Sequence, residues 1–171
     1  AGAMGAPQLA AAPLSCLPNA RRAAVIGLGT GATCEIAARR GAVVDCIEIL
    51  PSVIAAQPIL RQLRNEAHPS VTPPGVRYRL DDGRRFLRAT STRYDFISVD
   101  GNQAEFEGSA ALLSHEFFEI VADRLAPGGL FGVCVGPELF GERIMERTLL
   151  ATFPWVARLR HTDTMLAAFQ P

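Results

Sequence analysis

The residues of this chain best suited to chemistry are a glycine turn and a few carboxylates that follow it. Ala23-Ala24-Val25-Ile26 is an apolar run leading into Gly27-Leu28-Gly29-Thr30-Gly31, and a second apolar run, Val43-Val44-Asp45-Cys46-Ile47, ends at Glu48. Glycines at such a turn remove the Cβ atoms that would hold a ligand off the backbone, and they accept positive φ. A carboxylate at the end of the second strand accepts hydrogen bonds from two neighbouring ribose hydroxyls, at the crevice where open parallel sheets bind ligands. Together these features predict a site for an adenosine-containing ligand. Gly27, Gly29 and Ala32 also satisfy the G-x-G-x-x-G/A pattern, so on these residues alone NAD or FAD stays open.

Strands and helices must alternate to bring these residues together, and the pattern provides that alternation. It predicts strand Ala23 to Ile26, helix Ala32 to Arg40, strand Val43 to Ile47 and helix Ser52 to Glu66, kinked or split at Pro58. After a proline-rich loop, His68 to Gly75, come strand Val76 to Leu80, a short helix Gly83 to Arg88 capped by Asp82, and strand Tyr94 to Val99. The loop Asp100 to Leu113 leads to a helix capped by Ser114 and stopped by Pro127-Gly128-Gly129, with a fifth buried strand, Leu130 to Val135, beyond it. Helix Glu138 to Thr152 and strands Trp155 to Leu159 and Met165 to Phe169 complete the chain. The turn Arg160 to Asp163 is too short for a parallel crossover, so the last two strands pair antiparallel. The expected fold is α/β: three layers, α/β/α, around a mostly parallel doubly wound sheet with an antiparallel terminal strand, a Rossmann-like arrangement that resembles methyltransferase-type folds.

Composition narrows the function classes. With 171 residues, 49% of them hydrophobic, the chain can build one three-layer core. Seventeen basic and 17 acidic residues cancel, so net charge points to neither nucleic acid nor a membrane surface and favours a small-molecule partner. Cys16, Cys34, Cys46 and Cys134 form no C-x-x-C pair, and His68, His115 and His161 are scattered, so no metal site is expected. The cysteines read as buried apolar residues in a reducing compartment, which is taken to be the cytoplasm. The first twenty residues lack a basic n-region and a clean apolar core, no run reaches the roughly 20 apolar residues of a membrane span, and the chain begins at Ala1 without Met. Residues 1–20 are expected to be an extension or the remnant of a preceding segment, and residues 21–171 the nucleoside-binding domain.

Five stretches make the reading more specific: Val25-Ile26-Gly27-Leu28-Gly29-Thr30-Gly31, Ile47-Glu48-Ile49, Asp82-Gly83-Arg84-Arg85-Phe86-Leu87, Tyr94-Asp95-Phe96-Ile97-Ser98-Val99-Asp100 and Leu125-Ala126-Pro127-Gly128-Gly129. In order and spacing they resemble the spermidine synthase family, over roughly Pro18 to Phe169. The resemblance implies that Gly27, Gly29 and Gly31 pack against the nucleoside and its methionine-derived part, with Glu48 and Ile49 at the ribose and Asp82 and Gly83 at adenine. A carboxylate suits an exocyclic amino group, and the Gly83 N–H suits a ring nitrogen. Asp100 then faces the sulfonium carbon and the attacking amine, as both a nucleoside contact and the catalytic residue. Decarboxylated S-adenosylmethionine or S-adenosylmethionine is the implied co-substrate, with no metal, and relatives commonly form homodimers.

The loop Asp100 to Gly108 carries three acids and no base, which would draw a cationic amine, and Gln103 and Glu105 are its candidate acceptor-binding residues. Here the chain departs from the family. Gln103 and Ala104 stand where a second aspartate and a proline are usual, Leu50 replaces an acid after Glu48, and no N-terminal β-hairpin domain is recognisable. Three functions follow: aminopropyl transfer to an amine, methyl transfer on the same scaffold, or a non-catalytic or incomplete nucleoside-binding module. Aminopropyl transfer is the closest resemblance, while Gln103 can donate to the carboxylate that only S-adenosylmethionine carries, a small point toward the full co-substrate.

Overall fold

A computed structural model of the chain describes residue 11 and residues 13–64, 71–100, 109–134, 142–159 and 164–169. Seven strands, β1 (Arg22–Ile26), β2 (Val43–Glu48), β3 (Val76–Leu80), β4 (Tyr94–Val99), β5 (Leu125–Cys134), β6 (Trp155–Arg158) and β7 (Thr164–Ala168), form one sheet in the order β3-β2-β1-β4-β5-β7-β6. The pairs among β1 to β5 are parallel, while β7 runs antiparallel to both β5 and β6. The expected closing hairpin is present, but β7 inserts between β5 and β6, so its reversed strand lies inside the sheet and β6 at the edge.

Alternation along the strands divides the core between the two faces of the sheet. On one side Ala23, Val25, Val44 and Cys46 meet α1 (Ala32–Arg39) and α2 (Pro51–Leu63) through Cys34, Ala37, Val53 and Ile54. On the other, Ala24, Ile26, Ile97 and Phe131 meet α3 (Gly83–Ala89), α4 (His115–Arg124) and α5 (Glu142–Leu150) through Leu87, Phe117, Phe118, Met145 and Leu149. Phe118, Phe131 and Phe153 continue that contact, with centroids 5.6 and 5.9 Å apart. Each such buried side chain contributes roughly 1.5–3 kcal/mol.

Caps fall where their chemistry requires. Asp82 accepts from Arg85 N at 2.9 Å to start α3, and Ser114 accepts from Phe117 N at 3.3 Å to start α4. Pro51 occupies the first turn of α2, where its missing N–H costs nothing, and Pro58 sits inside a helix that continues to Leu63. Pro127-Gly128-Gly129 does not precede β5 but is absorbed into it. Leu125 pairs with Tyr94 and Leu130 with Phe96, so the intervening residues bulge, with Gly128 at φ 76°.

Two further expectations change. Cys34 and Cys46, both buried, are joined by a disulfide, because α1 packs directly on β2; Cys16 is exposed and Cys134 partly buried. The loop after Asp100 contains a 3₁₀ turn, Ser109–Leu113. Among the described residues no helix is long and apolar enough to cross a membrane.

Candidate functional site

The central strands of the sheet bring the candidate residues to one edge. β1 lies between β2 and β4, so the chain leaves Ile26 between the carboxyl ends that carry Glu48 and Asp100. Connections from β1 and β4 depart in opposite directions here, which makes this the switch point where open α/β sheets hold ligands.

Gly27 is the closest approach. Its N–H donates to Ile47 O at 2.8 Å, its φ is 88°, and a Cβ built on it would lie 1.8 Å from the carbonyl oxygen of Asp100. Asp100 is itself anchored by its N–H, which donates to Ile26 O at 2.7 Å. No side chain fits between these two segments, so this glycine sets how near Asp100 comes to the turn. Gly29 (φ 48°) faces open space, whereas Gly31 (φ 82°) caps α1 with the Gln57 side chain beneath it.

Glu48 is 7% exposed and aimed at the turn. Its Oε2 accepts from Leu28 N at 3.0 Å and its Oε1 from Leu50 N at 2.9 Å. An ionised carboxylate has about four acceptor positions, so two amides orient the group and leave capacity for hydroxyl donors. Beside it Ile49, Leu50 and Leu80 are exposed, forming an apolar ledge at the ends of β2 and β3.

Asp82 and Gly83 lie past the end of β3, close to Glu48 because Asp81 N donates to Glu48 O at 3.0 Å. Asp82 spends Oδ1 on the α3 cap. Gly83 has a packing reason of its own, since a Cβ there would meet Ile26 Cγ2 at 2.5 Å. Gln103 and Glu105 lie outside the described residues.

Several partners of this site escaped the sequence reading. Thr33, in the first turn of α1, donates to Asp100 Oδ2 at 2.6 Å. Gln57 Nε2 donates to Gly29 O at 2.9 Å, and Arg64 to Thr30 O. At the opposite end of β4, Asp95 Oδ2 accepts from Arg21 N and Arg22 N at 2.7 and 2.9 Å, while Tyr94 O–H donates to the Asp45 carboxylate at 3.1 Å and Arg79 pairs with it at 3.0 Å. The Tyr94-Asp95 pair is therefore structural. Gln57 had a signal in the sequence, being a polar residue in helical register with Val53 and Ile54; Thr33 had none.

Among the described residues no group of three His, Cys, Asp or Glu side chains is placed to hold a metal. The arrangement is a backbone cradle, a fixed buried carboxylate and a second carboxylate across the turn.

Comparison with known proteins gives the family and the fold. The model of the spermine/spermidine synthase domain matches residues 6–149. The chain belongs to the spermine/spermidine synthase family. It is 30% identical to a polyamine aminopropyltransferase of Moorella thermoacetica over 88% of this chain and 53% of that protein. To putrescine N-methyltransferase 2 of Nicotiana attenuata it is 31% identical, over 74% of this chain and 33% of that one. A crystal structure of a spermidine synthase in complex with the transition state analogue AdoDATO superposes with a TM-score of 0.79 at 19% identity, covering 95% of this chain and 59% of that one. The chain thus spans between a third and three fifths of the length of these family relatives.

Proposed function

We propose that this chain is a transferase that binds an S-adenosylmethionine-type nucleoside at the carboxyl ends of β1, β2 and β4 and passes an alkyl group to a small-molecule amine. The observation that carries the reading is the Glu48 carboxylate, buried, oriented by two backbone amides and set against a turn whose Gly27 touches the backbone of Asp100. Glu48 accepts from the ribose hydroxyls, Ile49 and its apolar neighbours flank the base, and Asp82 with the Gly83 N–H meets the adenine edge. The turn of Gly27, Gly29 and Gly31 admits the sulfonium part.

Asp100 holds the acceptor. In aminopropyl transfer the amine lone pair attacks the methylene next to S⁺, the carbon–sulfur bond breaks with its electrons going to sulfur, and neutral methylthioadenosine leaves. The new ammonium releases one proton, for which a carboxylate is a fitting acceptor, and alignment supplies much of the acceleration. Gln103 and Glu105 are proposed to meet the far end of the acceptor, and a second copy of the chain is the proposed partner.

Methyl transfer from S-adenosylmethionine is the second reading. It is supported by Gln103 standing where the synthases carry an acid, and a putrescine N-methyltransferase matches at the same 31% identity as a spermidine synthase of Hyoscyamus niger. Mass spectrometry of the products formed from S-adenosylmethionine, its decarboxylated form and a set of amines tests both. Methylthioadenosine with an aminopropylated amine supports the first, adenosylhomocysteine with a methylated amine the second, and neither product points to a module that binds without turnover. Asp100→Asn should lower turnover by about 10²–10⁴-fold and leave nucleoside affinity within a few-fold.

A further inference from the structure

The glycine turn is held from behind by side chains of α2 and of its C-cap residue, Arg64. Gln57 is 1% exposed, and its Nε2 donates to Gly29 O at 2.9 Å and to Val53 O at 3.2 Å. Both partners are carbonyls, so the amide orientation is determined by chemistry. Seven residues on, at the same angular position of the helix, Arg64 donates to Thr30 O and pairs with the buried Glu35 of α1 at 2.7 Å. Two consecutive carbonyls of the turn are thereby bound by α2 and its C-cap, and the C-cap is tied to the helix the turn leads into.

We infer that Gln57 and Arg64 are positioning residues for the nucleoside: they draw the Gly29 and Thr30 carbonyls toward α2 and so keep the opposite side of the turn shaped for a ligand. This rests on the nucleoside reading above. A turn with positive φ at Gly27, Gly29 and Gly31 has few intrinsic restraints, because glycine adopts either hand at little cost. The only bonds that the turn makes to its own neighbourhood through backbone N–H groups at its two ends are Gly27 to Ile47, Leu28 to Glu48 and Gly31 to Leu28, among those described. The carbonyls between them are where the α2 donors act. Gln57 also has a cost that a purely space-filling residue would avoid, since its Oε1 is buried without a partner among the described residues and lies 2.5 Å from where a Gly31 Cβ would stand. An apolar side chain of the same length would fill that space with no orphaned acceptor.

The test uses Gln57→Met, close in size but unable to donate, and Arg64→Met with Arg64→Lys as the conservative partner. Hydrogen exchange of the Leu28 and Gly31 amides is followed in the free protein, and binding of methylthioadenosine and adenosylhomocysteine by calorimetry. Exchange in both methionine variants should quicken by about tenfold at these amides while the amides of β4 and β5 keep their wild-type rates, and affinity for the nucleoside should fall by a similar factor. Lysine at position 64 should restore most of both. Unchanged exchange at Leu28 and Gly31 overturns the inference, as does quickened exchange with unchanged affinity. If the wild-type chain binds neither nucleoside, the proposed function fails, and so does the nucleoside role of the clamp; the exchange data then still show whether α2 holds the turn.

Discussion

Replacing Gly27 with alanine, against Gly29→Ala as control, tests the claim that this glycine sets the distance from the turn to Asp100. At Gly29 the added methyl meets nothing within 4 Å, so the cost is that of a left-handed alanine, about 1–2 kcal/mol. At Gly27 the same backbone cost applies, and the methyl lies 1.8 Å from a carbonyl oxygen of the main chain. That oxygen cannot swing away as a side chain would, because the Asp100 N–H is bound to Ile26 O at 2.7 Å, so β1 and β4 must part locally. Overpacking adds about 1–3 kcal/mol and a weakened ladder bond about 1 kcal/mol, for a total near 3–6 kcal/mol. Each kcal/mol lowers Tm by about 2–4 °C in a domain of this size, so Gly27→Ala should melt roughly 5–15 °C below Gly29→Ala. Thermal unfolding of both variants, with turnover at a temperature where each is folded, is the assay. Turnover should be lost in Gly27→Ala, whose Asp100 is displaced; Gly29→Ala is the control for stability alone, since its methyl enters the open side of the turn proposed for the nucleoside. Equal melting temperatures would refute the argument, because the two sites differ chiefly in what the methyl meets.

Glu48→Gln keeps one acceptor oxygen but replaces the other with a donor facing the Leu28 or Leu50 N–H; nucleoside affinity measured by calorimetry should fall by about 10–100-fold, against little change for Glu119→Gln on the exposed face of α4. Thr33→Val removes the hydroxyl that donates to Asp100 and should lower kcat by about tenfold with nucleoside affinity unchanged, Thr33→Ser restoring it. Burial, and after it the charge of Asp45, pushes the Tyr94 phenol up to about 12 from an ordinary value of 10.0. Between those values the unfolded chain sheds a proton that the native state keeps, so the stabilisation is complete below pH 10 and is lost as pH rises toward 12, by about 2–3 kcal/mol in all. Tyr78 is also raised, chiefly by burial, and acts in the same direction. All 17 basic side chains are arginine, so no lysine titrates in that window. Urea melts at steps across it should show the decline, and Tyr94→Phe should flatten much of it.

Much of the architecture is written in local pattern. The apolar runs of β1, β2 and β4, the capping residues Asp82 and Ser114, and the short link before β7 each act over a few residues, so their consequences can be read along the chain. The acid after β2 and the glycines after β1 were legible for the same reason: carboxyl ends of neighbouring parallel strands meet whatever lies between them. The insertion of β7 between β5 and β6 was not, because which edge a returning strand takes depends on the face it must cover. Nor was the Cys34–Cys46 bond, whose partners, 12 residues apart, meet only once α1 lies on β2. Gln57 and Arg64 act on backbone carbonyls 28 and 34 residues away and Thr33 on a carboxylate 67 residues away, and although Gln57 stands out as a polar residue on an apolar helix face, nothing in the sequence names these partners. What the sequence determined by itself was the order of elements, the caps and the residue types offered at the switch point. What only the tertiary structure decided was which side chains hold those residues still, since a hydrogen bond between distant segments exists only after the core has brought them together.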